Sequence, residues 1–250
     1  MRLWRCGVDV VMTDLEQPTA IRRTVAFSDA IVHGKTTVEG LRAVRAENAA
    51  EAMKLLREGV LPVLTDPECR CREELAPDAL VDAILAKRNL GTKITDAPIV
   101  VGVGPGFTAG EDCHAVVETM RGHTLGRVIY SGGAIPNTNV PGLIGGFAGE
   151  RVLRAPCDGI FTAVHRIGDT VEEGETIGFV DGTPMKCTIG GVLRGVLDDG
   201  VRVKKGMKSG DVDPRCKAEY CTTVSDKALA VGGGVVEAVL YLRAKTQGRR

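Results

Sequence analysis

Residues 158–180, DGIFTAVHRIGDTVEEGETIGFV, and residues 190–212, GGVLRGVLDDGVRVKKGMKSGDV, repeat one another at an offset of 32. The pairs Gly159/Gly191, Val164/Val196, Gly168/Gly200, Val171/Val203, Gly174/Gly206, Gly178/Gly210 and Val180/Val212 are identical. Glycines in phase mean that the same turns recur, and valines in phase mean that the same positions face inward. Helical periodicity is absent over this stretch, and short strands and turns replace it. Two copies of one short β unit predict a small barrel-sandwich module over 151–215. Residues 216–250 then form a C-terminal helical segment.

Upstream of the repeat the texture is different. VDVVMTD (8–14), LRAVRA (41–46), VLPVLTD (60–66), PIVVGVG (98–104) and RVIYSG (127–132) read as strands. PTAIRRTVAFSDAIVHG (18–34), Ala49 to Gly59 and Glu111 to Gly122 read as helices, and DALVDAILAKRN (78–89) fits either type. This alternation predicts a Rossmann-like α/β domain with a mainly parallel sheet over 1–150. RLWRCG reads as the end of a helix closing at Gly7, with a strand and Asp14 next. In a doubly wound domain a strand and a glycine loop come before that helix, so the domain is read as N-terminally truncated. The expected fold class is therefore α/β: a Rossmann-like parallel-sheet domain lacking its first strand and loop, a small β barrel-sandwich hybrid module, and a C-terminal helix. That helix, SDKALAVGGGVVEAVLYLRAK (225–245), has Ser225 as its N-cap. Its glycines 232–234 each cost about 1 kcal/mol relative to alanine, which implies close approach by another backbone or by a ligand phosphate.

Several function classes drop out on charge and composition. Lys+Arg and Asp+Glu stand at 32 each, so no bulk attraction to nucleic acid or to an anionic membrane is expected. The basic stretch Arg243 to Arg250 reads as a solvated tail. There is no apolar run of transmembrane length and no signal-peptide pattern. The eight cysteines show no dense framework and read as reduced thiols of a cytoplasmic protein. Cys69-x-Cys71 and Cys216-x4-Cys221 lack the paired spacing of a zinc site, and His114/Glu118 on one helix face reads as a surface hydrogen bond; no metal site is expected. Lys186, in the TPMKC hairpin between the repeats, occupies the place of a biotinyl or lipoyl lysine, but the surrounding residues do not match an A-M-K-M site.

PIVVGVGPGFTAGED (98–112) carries the chemistry. Gly102, Gly104 and Gly106 suit a tight turn with exposed backbone N–H groups, and Thr108 suits the cap of a following helix. Phe107 stands where G-x-G-x-x-G requires a third glycine. Asp14, closing VVMTD, sits where a ribose-binding acid belongs. Arg22 and Arg23 are placed for phosphate, as are Lys87 and Arg88 in AKRNLGT. No Ser/His/Asp arrangement or nucleophile elbow is present, so the catalytic set is unassigned.

VVMTDLEQPTAIRRTVAFSDAI, DALVDAILAKRNLGT, DAPIVVGVGPGFTAG, ETMRGHTLGRVIYSG, ERVLRAPCDGIF, GVLRGVLDDGVRVKKGMKSGDVDPR and SDKALAVGGGVVEAVLYL together resemble the YqeB-type family over nearly the whole chain. These are accessory proteins of selenium-dependent molybdenum hydroxylase systems. The resemblance implies a cytoplasmic maturation factor whose client is a molybdenum hydroxylase carrying a molybdopterin cofactor and a labile selenium. Members of that family begin upstream, with a strand and a G-A-G-D-L-A-T-G-like loop that this sequence lacks. The expected ligand is nucleotide-bearing, such as a molybdopterin dinucleotide. Gly102, Gly104 and Gly106 would donate from the backbone, Asp14 would bind a ribose, and Arg22, Arg23, Lys87 and Arg88 would meet phosphate. Two other classes stay open: an NAD(P)-dependent oxidoreductase using the same loop, and a non-catalytic docking or carrier protein for the hydroxylase.

Overall fold

The computed structural model describes residues 1–138 and 142–248; Arg249 and Arg250 of the basic tail lie outside them. The chain opens with helix α1 (Arg2–Arg5), strand β1 (Met12–Asp14), a 3-10 turn (Arg23–Val25) and helix α2 (Asp29–His33). Strands β2 (Lys35–Val38) and β3 (Leu41–Ala46), helix α3 (Ala49–Arg57), strand β4 (Leu61–Thr65) and helix α4 (Arg72–Leu75) follow. Next come β5 (Ala79–Asp82), β6 (Ile99–Val103), β7 (Ala115–Val117) and β8 (Val128–Ile129). The repeat region holds β9 (Val152–Arg154), β10 (Gly159–Ala163), β11 (Thr170–Val171), β12 (Thr176–Val180), β13 (Thr183–Lys186), β14 (Gly191–Val196), β15 (Arg202–Val203) and β16 (Lys208–Asp213). A 3-10 turn (Ala218–Cys221) leads into the long helix α5 (Asp226–Thr246). The architecture is mixed α/β, with parallel and antiparallel sheets and a C-terminal helix.

The chain divides into two compact units. The first comprises Met1–Val10, Arg70–Asn139 and Ser225–Arg250, and the second Val11–Cys69 and Val140–Val224. In the first unit the sheet order is β5-β6-β7-β8. β5, β6 and β7 pair in parallel, and β8 closes the edge antiparallel. β6 is buried along its whole length, which is why PIVVGVG carries an unbroken apolar run. Ile99, Val101 and Val103 pack on Val235, Ala238 and Val239 of α5, while Val100 faces Phe107 and Cys113 on the other side. Helix α5 begins where the Ser225 hydroxyl oxygen accepts from the Ala228 N–H at 3.3 Å. Ser225→Ala is expected to cost about 1 kcal/mol, read as a lower thermal midpoint with an unchanged circular-dichroism spectrum at low temperature.

In the second unit, β1 and β4 are parallel, β4 and β3 are parallel, and β3 and β2 form a hairpin. The repeat builds two further four-stranded sheets, β13-β12-β10-β15 and β11-β14-β16-β9. β10, β11 and β12 correspond at the 32-residue offset to β14, β15 and β16. Each copy hands its short middle strand to the other: β10 pairs with β15, and β14 with β11. Phe161, Ile177, Val180, Leu193, Val196, Leu197 and Val212 fill the space between the sheets. The equivalent glycines share a backbone state, φ 152° at Gly159 and 154° at Gly191. A Cβ at either would strike the chain at the equivalent positions Asp181 and Asp213, so the in-phase glycines mark close approaches.

Three segments differ from their sequence reading. Residues 111–122 form no helix; Ala115–Val117 is a buried strand paired to β6. A short apolar run cannot be told from a helix face by period alone, and the β-branched Val116-Val117 favour the sheet. Residues 18–34 make only the 3-10 turn and α2. Ile21 belongs to the core of the repeat region, and its carbonyl accepts from the Val196 N–H at 2.8 Å, so this backbone is committed elsewhere. The ambiguous stretch 78–89 resolves to strand β5.

Candidate functional site

The glycine loop after β6 is closely packed by its own chain. A Cβ on Gly106, where φ is 110°, would stand 2.5 Å from the Arg88 backbone, and one on Gly102 2.5 Å from the Phe107 ring. On Gly104 it would meet Thr119 Oγ1 at 2.9 Å. The Gly104 N–H donates to the Val117 carbonyl at 2.8 Å. The turn carrying Lys87 and Arg88 therefore lies directly on the loop; both side chains are exposed, and Leu85 and Lys87 adopt φ of 60° and 64°. No helix follows for Thr108 to cap. Instead its carbonyl accepts from the Glu111 and Asp112 N–H groups, and the Asp112 carboxylate accepts from the Thr108 N–H at 2.8 Å. Asn89 Nδ2 donates to Asp112 at 3.2 Å and ties the two loops together.

The loops after β5, β6 and β7 gather at the carboxyl ends of the parallel strands, the edge where α/β sheets bind ligands. Glu118, 2% exposed, anchors this edge. Its carboxylate accepts from the Thr119, Met120 and Ile135 N–H groups at 2.7, 2.7 and 2.8 Å. His114 does not join it, because His114 Nδ1 accepts from the Val100 N–H at 2.9 Å. The helix-face pair expected from their spacing is thus replaced by two separate backbone anchors. Burial, and then the Arg121 and Lys87 charges, hold the half-buried Lys227 ammonium below the usual lysine range, against the attraction of Glu118. Arg121 makes a bidentate pair with Asp226 at 2.8 and 3.0 Å. Sequence reading placed Arg121 near the loop but missed Lys227, since α5 contributes the lysine from more than 100 residues away. The only local signal is a lysine in the first turn of a helix.

Asp14, Arg22 and Arg23 belong to the second unit. Asp14 ends β1 and accepts from the Leu15 N–H at 2.7 Å. Arg22 donates to the Tyr220 and Thr223 carbonyls at 2.7 and 3.3 Å, fastening the chain after the second 3-10 turn. Burial, and then the Arg194 charge, lower its pKa. Arg23 lines a cleft of about 440 Å³, within the size range of small-ligand sites. Thr24, Asp29, His165, Arg166 and Asp198 share its walls. His165 lies 3.5 Å from Asp169 and 3.0 Å from Glu175.

Within this unit runs a buried ionic ladder. Asp211 pairs with both Arg151 and Arg194, and Asp213 with Arg194 at 2.9 Å and Arg215 at 2.6 Å. Burial pushes the Asp213 pKa up, but the Arg215 and Arg194 contacts win and hold it below the usual carboxylate value. The stability this contributes is complete above about pH 4, the unfolded value, and is lost as pH falls through the lower folded value. Acid titration of Asp213→Asn is expected to show a shallower loss of stability below pH 4 than the parent chain.

The chain is thus a mixed α/β protein with a parallel-strand carboxyl edge in one unit and a cleft in the other. Over 242 residues, 97% of its length, it is 51% identical to the uncharacterized protein YqeB of Escherichia coli (strain K12). This similarity supports the YqeB family for the chain, which spans 45% of the length of that relative. No family model matches. Among solved structures, a succinylglutamate desuccinylase/aspartoacylase from Rhodobacter sphaeroides aligns with 25% of this chain and 22% of its own, at 27% identity and a TM-score of 0.23. An aspartoacylase family protein from Mesorhizobium loti aligns with 34% and 27%, at 13% identity and a TM-score of 0.24. Among the described residues, no helix is long and apolar enough to cross a membrane.

Proposed function

We propose that the protein is a cytoplasmic accessory factor in the maturation of selenium-dependent molybdenum hydroxylases. It binds a nucleotide-bearing ligand, such as a molybdopterin dinucleotide, at the carboxyl edge of the Rossmann-like sheet in its first unit. The maturation role rests on the motif resemblance along the chain. The ligand rests on one observation: Lys87 and Arg121, on the loops after the parallel strands β5 and β7, both bear on the charge of Lys227 in the first turn of α5. A bound phosphate offsets that repulsion and moves the Lys227 pKa back up toward the usual lysine range.

The folded Lys227 pKa lies below the unfolded value of about 10.4. Between the two the folded chain holds fewer protons, so stability rises with pH there. An anion that favours the charged lysine takes up a proton on binding, so its affinity falls as pH rises above the folded Lys227 value. Calorimetric titrations in that alkaline range check this: affinity independent of pH, or rising with it, contradicts the Lys227 contact. Co-purification of the hydroxylase with no nucleotide binding would favour the docking or carrier role instead.

A further inference from the structure

We propose that Asp29, His33 and Asp198 form a divalent-cation site that opens into the cleft of the second unit. Asp29 and His33 stand one turn apart on α2, and Asp198 comes from the turn after β14. His33 Nε2 lies 3.0 Å from Asp198 Oδ2 and 3.7 Å from Asp29 Oδ1, and the three atoms lie within 4.8 Å of one another. Ligand atoms around a cation bound at about 2.0–2.2 Å are separated by about 3–3.5 Å. The same two oxygens, Asp29 Oδ1 and Asp198 Oδ2, are shielded from solvent and held by ion-pair contacts, to Arg23 at 3.6 Å and to His33 at 3.0 Å, with no further hydrogen-bond donor on either. Buried carboxylate oxygens usually take more than one polar contact, and a cation that accepts their lone pairs together with that of His33 binds all three groups at once.

The surroundings agree with this assignment. Arg23 is the neighbouring cation, 3.3 Å from Asp198 Oδ1 and 3.6 Å from Asp29 Oδ1, and its Nε donates to the Val196 carbonyl. One guanidinium offsets one of the two carboxylate charges and leaves the other. Burial, as the largest influence, raises the Asp29 pKa, with Asp198 adding to it and His33 and Arg23 opposing it. Asp199, beside the cluster, accepts from the Ala163 N–H at 2.6 Å, and His165 is held by Asp169 and Glu175. In the first copy of the repeat the position equivalent to Asp198 is Arg166, so only the second copy brings an acid to this wall. Three protein ligands beside an open cleft leave a position for water or a ligand oxygen, the pattern of a working site. An imidazole with two carboxylates and no thiolate suits Mn²⁺ or Zn²⁺.

The proposal goes beyond the nucleotide reading and does not depend on it. Its test is a titration of the full chain with Mn²⁺, followed by the electron-paramagnetic signal of the free ion, with Co²⁺ absorbance as a second probe. The expected result is one ion per chain, with affinity at least about tenfold weaker in Asp198→Asn and in His33→Ala and unchanged in His165→Ala. The Co²⁺ spectrum should lack a thiolate charge-transfer band. His33 is 48% exposed, so His33→Ala carries the test if Asp198→Asn fails the circular-dichroism check of folding. No binding at millimolar Mn²⁺, equal affinity in the His33 variant, or a thiolate band overturns the proposal.

Discussion

Asp211→Ala is expected to lower the unfolding free energy by about 3–5 kcal/mol, the cost of removing one partner from a buried ionic cluster. Asp211 is 1% exposed, and Arg151 and Arg194 are 7% and 8% exposed. The substitution deletes the carboxylate those two arginines share and leaves buried positive charge facing positive charge. At this size, about 10 °C should be lost from the melting midpoint. Arg215 is the internal control, since it pairs with the same ladder through Asp213 while its side chain stays 39% exposed. Arg215→Ala should cost about 1 kcal/mol or less. Denaturant melts of the two variants should therefore separate widely; equal losses would mean that the ladder does not act through desolvated charge.

Neighbouring glycines of α5 are expected to respond to alanine with opposite signs. A Cβ on Gly233 meets nothing within 4 Å, so Gly233→Ala should stabilise by up to about 1 kcal/mol through helix propensity. A Cβ on Gly234 would drive into the Gly126 carbonyl oxygen and stand 2.8 Å from Val117 Cγ1. That overpacking should cost about 1–3 kcal/mol despite the same propensity gain. Gly232 sits between the two cases, with Arg2 Cγ 3.0 Å from its Cβ position, where a flexible side chain can yield. Thermal melts of the alanine variants at 233 and 234 decide the matter: two shifts of one sign would mean that α5 does not need its close approach to the Gly126 turn. The glycine run in this helix thus serves backbone contact within the first unit.

Elements whose signal is local were legible in the sequence. Strand β6 announces itself by its unbroken apolar run, α3 by its spacing, α5 by its Ser225 cap, and the repeat by glycines in phase, of which Gly159/Gly191 and Gly174/Gly206 share a φ. Residues 111–122 were not legible, because a three-residue strand buried on both faces leaves too short a pattern to set a period. Residues 18–34 failed for a different reason. Ile21 is drawn into a core built by residues more than 130 positions away, and that tertiary demand overrides the local helical pattern.

The candidate site follows the same division. Gly106 and Arg88 are close in sequence and do meet. Lys227 comes under the charge of Lys87, Glu118 and Arg121 only through the return of α5, and Asp198 reaches Asp29 and His33 only through the fold of the second repeat copy. Neither grouping has a spacing that sequence could display. Asp29 and His33 lie on one short helix, but the sequence reading expected no metal site and did not single them out.

Calorimetric titration of molybdopterin dinucleotide into this chain and into its Lys227→Gln variant tests the carboxyl-edge site most directly. One charge-assisted contact is worth about 1.5–3 kcal/mol, so the account predicts single-site binding that weakens by about 10- to 100-fold in the variant. No heat of binding with the parent chain, or equal affinity in the two proteins, would contradict it.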